Sequence, residues 1–152
     1  YQHSGIDIQK ILCIFVRTET KSALFMDPKL KKGILNAVTE YLAKKGFTGF
    51  RSDLEQMEAP KKIVEKRTGK IYQPDMTADH KDSSYIFEIE MGESVEKSNE
   101  HFIKKCDVFQ QQAASKKGKL YLIVPIEQFE KVLTVINKNN LENVGILQIN
   151  TG

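Results

Sequence analysis

Residues 71–92 read "IYQPDMTADHKDSSYIFEIEMG", two runs of alternating apolar and polar residues around a polar turn, which predict strands over 70–78 and 84–91. Side chains alternate faces along a strand. In "YIFEIEM", Tyr85, Phe87, Ile89 and Met91 therefore point one way, and Ile86, Glu88 and Glu90 the other. In "IYQPDMTA", Tyr72, Met76 and Ala78 share one face, and Gln73, Asp75 and Thr77 the opposite one. A turn centred on Lys81 and Asp82 sets Asp75 across from Glu88, with Glu90 its diagonal neighbour at roughly 7–8 Å. Like charges opposed across a sheet destabilise it, so three carboxylates on one face need compensation. A divalent cation with hard oxygen ligands, Mg2+ or Mn2+, would supply it. A solvated polar face, with "PD" as an ordinary turn pair, is the other reading.

Outward from the hairpin, the pattern predicts helices and further strands. "MDPKLKKGILNAVTEYLAKKG" is a helix with Asp27 as cap, Pro28 in its first turn, Leu30, Ile34, Val38 and Leu42 on one face, and Gly46 as its stop. Residues 47–54 read as a strand, followed by a long polar connection rich in lysine. Residues 94–118 read as a second helix, with Phe102, Cys106, Phe109 and Ala113 on one face and Gly118 at its end. "KLYLIVP" (119–125) is a short apolar strand expected inside the sheet. Residues 126–140 form a third helix with Phe129, Val132, Leu133 and Ile136 as its buried stripe, and 144–149 a last strand. Residues 6–16 are apolar and ambiguous between strand and helix. The order predicts an α/β domain: an antiparallel three-strand meander continued by parallel strands, with helices on both faces.

The 152 residues fit a single domain, with 27–149 as core and 1–26 as an N-terminal extension. No run approaches the roughly 20 apolar residues of a membrane span, and no secretory signal opens the chain, so no membrane partner is expected. It begins with Tyr1 rather than Met, which fits a preceding tag, a processing site or a larger protein alike. Cys13 and Cys106 sit in apolar patterns and suit reduced, buried thiols, with the cytoplasm as the natural compartment. The net charge is only +3, so the distribution of charge says more than its sum. Basic clusters at 60–70, 103–106 and 115–119 are candidate phosphate contacts.

"QPD", followed 13 residues after its Asp by "FEIE", inside the order helix, three strands, helix, strand, resembles the PD-(D/E)XK nuclease superfamily. That group includes restriction enzymes, archaeal Holliday-junction resolvases and many small host and phage nucleases. The resemblance covers residues 27–125. It implies a restriction-endonuclease-like mixed sheet and a hydrolase that cuts phosphodiester bonds in DNA, as an endo- or exodeoxyribonuclease with bound Mg2+ or Mn2+. Asp75 falls on the Asp of "PD" and Glu88 on the first acid of "(D/E)XK", both as metal ligands. The family's lysine is replaced here by Glu90, expected as a further ligand or as the group that orients the attacking water. Some restriction enzymes of the superfamily carry Glu there. In other branches a lysine of the following helix serves, for which Lys97 is the candidate. Lys61, Lys62, Lys66, Arg67, Lys104 and Lys105 are the expected nucleic-acid contacts. Cleavage of both strands would suit a homodimer. The alternative is a catalytically inactive nucleic-acid-binding or protein-interaction module on the same fold.

Overall fold

The computed structural model describes residues 27–93, 95 and 99–151, and the backbone alone of 7–8 and 12–13. Asp27 accepts the Leu30 N–H at 2.7 Å, Pro28 opens helix α1 (Pro28–Lys44), and Leu30, Ile34, Val38 and Leu42 are buried along it. An N-terminal cap of this kind contributes about 1 kcal/mol. Gly46, at φ 94°, turns the chain out of the helix in a conformation that glycine adopts without steric cost.

Five strands then build a mixed sheet in chain order: β3 (Thr48–Ser52), β6 (Met76–His80), β7 (Ser83–Ile89), β8 (Leu120–Pro125) and β9 (Val144–Asn150). The β3–β6 and β6–β7 pairs are antiparallel, and β7–β8 and β8–β9 are parallel. Short segments β1 (Asp7–Ile8) and β2 (Leu12–Cys13) pair in parallel with the far side of β9, which gives the ambiguous N-terminal run a strand reading at those four residues. The rest of that run, and the Cys13 side chain, lie outside the described residues. Helix α2 (Asn99–Ser115) crosses from β7 to β8, and a 3-10 turn (Ile126–Gln128) with helix α3 (Phe129–Lys138) crosses from β8 to β9. The result is the expected α/β architecture, an antiparallel meander continued by parallel strands and flanked by helices.

The sheet separates two apolar cores. Met76, Ala78, Phe87, Ile89, Ile123 and Leu147 pack with α1 on one face. Ile86, Leu122, Val124 and Ile146 pack with Phe102, Cys106 and Phe109 of α2 and Val132 and Ile136 of α3 on the other. Strand β8 lies between β7 and β9, and its Ile123 and Val124 are fully buried from opposite sides, as its continuous apolar run requires. On α3 the expected stripe is deep only at Val132 and Ile136, while Phe129 and Leu133 are half-buried.

Three expectations are corrected. The single strand expected over 70–78 is broken: Ile71–Tyr72 forms β5, Gln73–Asp75 leaves the ladder, and β6 starts at Met76. Pro74 has no N–H to give a ladder, and Gln73 turns its amide to the Pro60 carbonyl at 2.7 Å. Across that break the alternation resets, so Tyr72 joins the core under α2 rather than the face of Met76 and Ala78. Second, the lysine-rich connection contains β4 (Ile63–Val64), which pairs with β5 as a separate two-stranded ribbon. Third, residues 126–128 wind as 3-10 before α3 begins.

Candidate functional site

The hairpin holds the register its sequence implies. Lys81, at φ 55°, occupies the left-handed turn position, and Met76 pairs with Phe87, Thr77 with Ile86 and Ala78 with Tyr85. One step beyond the ladder, Asp75 faces Glu88. The two residues bond each other's strand: the Asp75 N–H donates to Glu88 Oε1 at 3.0 Å, and the Ile89 N–H donates to Asp75 Oδ2 at 2.9 Å. Each carboxylate thereby replaces a backbone acceptor where the ladder stops. A buried N–H without such a partner would cost about 1–3 kcal/mol.

The compensation for the two negative charges comes from both helical layers. Lys31, in the first turn of α1, reaches Asp75 Oδ1 at 3.1 Å and Asp53 Oδ2 at 2.7 Å. Lys105 of α2 reaches Glu88 Oε2 at 3.0 Å, with its side chain only 18% exposed. The pattern had placed Lys105 among solvated or phosphate-contacting lysines and had given Lys31 and Asp53 no role. Both lysines adjoin a buried residue, Leu30 and Cys106 respectively, and that adjacency is the one local signal that could have drawn attention to them.

The Glu90 charge also acts on Lys105. Strand β7 ends at Ile89, and Glu90, 2% exposed, turns its Oε2 to the Gly92 N–H at 2.8 Å. Among the described residues, no three or more His, Cys, Asp or Glu side chains form a group that could hold a metal ion. Lys97 lies outside the described residues. Lys104 pairs with Glu65 at 2.8 Å, tying α2 to the loop between β4 and β5. Lys61, Lys62, Lys66 and Arg67 are exposed on and beside that ribbon. Cys106 is buried, as expected, and burial pushes its thiol up, so it stays protonated and unreactive.

Burial, and then the neighbouring Asp75, push the Glu88 carboxyl up from 4.5 to about 7, against the pull of Lys105. Burial alone would lower Lys105, but the Glu88 charge and hydrogen bond outweigh it and hold the ammonium above its usual value. The site thus sets a carboxyl that exchanges its proton near neutrality beside a cation that keeps its own. A stability consequence follows. The folded chain binds the Glu88 proton more tightly than the unfolded chain does. The contribution is therefore fully present below 4.5 and is lost as the pH rises through about 7. In EDTA, the melting temperature of the parent minus that of Glu88→Gln should fall between about pH 5 and pH 8. A difference independent of pH would mean that Glu88 titrates as an ordinary carboxylate.

No family model, curated protein or solved structure matches the chain. Among the described residues, no helix is long and apolar enough to cross a membrane.

Proposed function

We propose that the chain is a small metal-dependent nuclease that hydrolyses phosphodiester bonds, in DNA, at the site formed by Asp75, Glu88 and Lys105. The observation that carries this reading is the Lys105–Glu88 contact at 3.0 Å. It sets a cation from the helix after the hairpin against the acid pair, which answers the loss of lysine at position 90. In this reading Lys105, rather than Lys97, serves as the lysine that a following helix can lend, and Glu90 acts through the backbone of Gly92 rather than on substrate.

The donor set fits Mg2+ or Mn2+ in reduced form. Mg2+ is usually held by one or two carboxylates and completes its shell with water and substrate phosphate, and Asp75 and Glu88 supply two carboxylates on opposed residues. When bound, the ion would supply Lewis-acid charge and a water of lowered pKa. The chain's own residues do the rest. Asp75 and Glu88 fix the donor oxygens through the backbone bonds that hold them. Lys105 balances Glu88 and would meet a phosphate oxygen of the substrate. Lys31 is anchored on Asp53 and can leave Asp75 without being stranded.

A binding module on the same fold is favoured by one fact: Lys31 and Lys105 already neutralise both acids. One set of measurements separates the readings. Mn2+ at about a hundred times its dissociation constant should stabilise the folded parent by about 2.7 kcal/mol, seen as a raised melting temperature. Asp75→Asn, which keeps an acceptor for Ile89, should lose most of that shift. Plasmid and single-stranded DNA should be cut by the parent with Mg2+, and by neither the parent in EDTA nor Asp75→Asn. Equal, negligible metal shifts in both proteins, with no cleavage, would leave the binding module.

A further inference from the structure

The acid pair accounts for Lys105 but not for the rest of the helix line that carries it. Positions seven and eleven residues along a helix return to within about 20° of the starting direction. Gln112 and Lys116, the latter one residue past the end of α2, thus continue the line of Lys105, and Lys116 lies about 16 Å farther along the axis. Both line a polar cleft of about 260 Å³ whose other walls include Arg51 of β3, Lys61 before β4, Thr77 of β6 and Ser84 of β7. Arg51, Thr77 and Ile86 are aligned across β3, β6 and β7. Glu88 is the next residue on that face of β7, about 7 Å along the strand. The cleft and Glu88 are therefore two stations on one face of the sheet, both bordered by α2.

The cleft is cationic. Arg51, Lys61 and Lys116 face a single lining carboxylate, Asp79, which accepts the Ser84 hydroxyl at 2.7 Å. Arg51 pairs with Glu58 at 2.7 Å, but the Glu58 side chain is 79% exposed. Such surface pairs contribute about 0–1 kcal/mol, so a phosphate can take the guanidinium over. The space is of nucleotide size. Residues of α2 and of the approach to β4 form two of its walls, and its volume is that of one nucleotide rather than of a base pair.

We propose that this cleft is a single-strand subsite. It would seat one nucleotide of an unpaired polynucleotide, with the backbone phosphates between Lys61 and Lys116, and the strand would run along the outer line of α2 past Gln112 toward Lys105 and the acid pair. The proposal rests on the phosphodiester reading of that pair and adds to it a substrate class, unpaired rather than duplex nucleic acid.

Fluorescence anisotropy in EDTA tests it without catalysis. The probe is a labelled oligothymidylate of about twelve nucleotides, within the range of known single-strand sites, beside a duplex of equal length. The parent should bind the single strand more tightly than the duplex. Lys61→Ala/Lys116→Ala should weaken single-strand binding tenfold or more and reduce the log–log salt slope by about 1.4, or about 0.7 for each lost contact. Both lysines are exposed, so the double variant keeps the fold. Unchanged affinity and slope, or a parent that prefers duplex, overturns the subsite. The two readings fail separately. Cleavage by the parent, with normal binding by the double variant, removes the subsite alone. A parent that binds through these lysines and never cleaves keeps the subsite and removes the nuclease.

Discussion

On the proposed nuclease reading, Lys105→Met should lower Mg2+-dependent cleavage at pH 7 about a hundredfold or more, the scale of one positioned acid–base or charge-stabilising group. The methionine fills the same space, and the variant should fold. Glu88 without its cation becomes harder to ionise, and since its carboxyl already sits near 7 it takes up a proton rather than leaving a buried charge. The acidic limb of the pH–rate profile should therefore move to higher pH, and part of the activity should return above about pH 9. Lys105→Arg keeps the charge, and its limb should stay where the parent's is. A Lys105→Met enzyme with the parent's rate and the parent's limb would remove Lys105 from the site.

Gly118→Ala should be the most damaging alanine substitution among the described glycines. A Cβ at Gly118 would fall inside the contact radius of the Ser84 carbonyl oxygen, and backbone cannot swing aside as a side chain can. The same crossing gives two ladder bonds, the Ser84 N–H to the Lys116 carbonyl and the Ile86 N–H to the Lys119 carbonyl, each at 3.2 Å. Making room requires lifting the α2–β8 connection from β7 and stretching both. The expected loss is about 3 kcal/mol or more, close to 10 °C in melting temperature for a chain of this size. Thermal denaturation of the metal-free protein measures it. A shift under about 2 °C would mean that the connection gives way freely.

The parts legible in the sequence are those fixed by near neighbours. The hairpin register was set by two turn residues and strict alternation, so Asp75 could be set against Glu88 before any coordinates. The α1 cap, the buried stripes of α1 and α2, and the internal place of β8 followed from period and composition. What escaped was set by distant chain. Tyr72 is compatible with either face until Pro74 and the Gln73–Pro60 bond break the strand. Ile63 and Val64 are too short a pair to stand out among lysines, and need β5 to become a strand. A lysine beside a buried stripe looks like any surface lysine. Lys31 and Lys105 differ only in the strand end that lies beneath them. Glu90 was expected with the other acids, and its charge does act on Lys105, but alternation along β7 could not show that its Oε2 is taken by the Gly92 N–H.

The reciprocal bonds between Asp75 and Glu88 also have a meaning for descent. A lineage that abandoned catalysis would still be selected to keep an oxygen acceptor at each of these positions, because Ile89 and Asp75 would otherwise lose the partners of their N–H groups. The lysines carry no such obligation to the backbone. Across descendants of this chain the two acids should therefore persist where the lysines do not, and on the proposed nuclease reading the loss of Lys105 would mark the point at which cutting stopped.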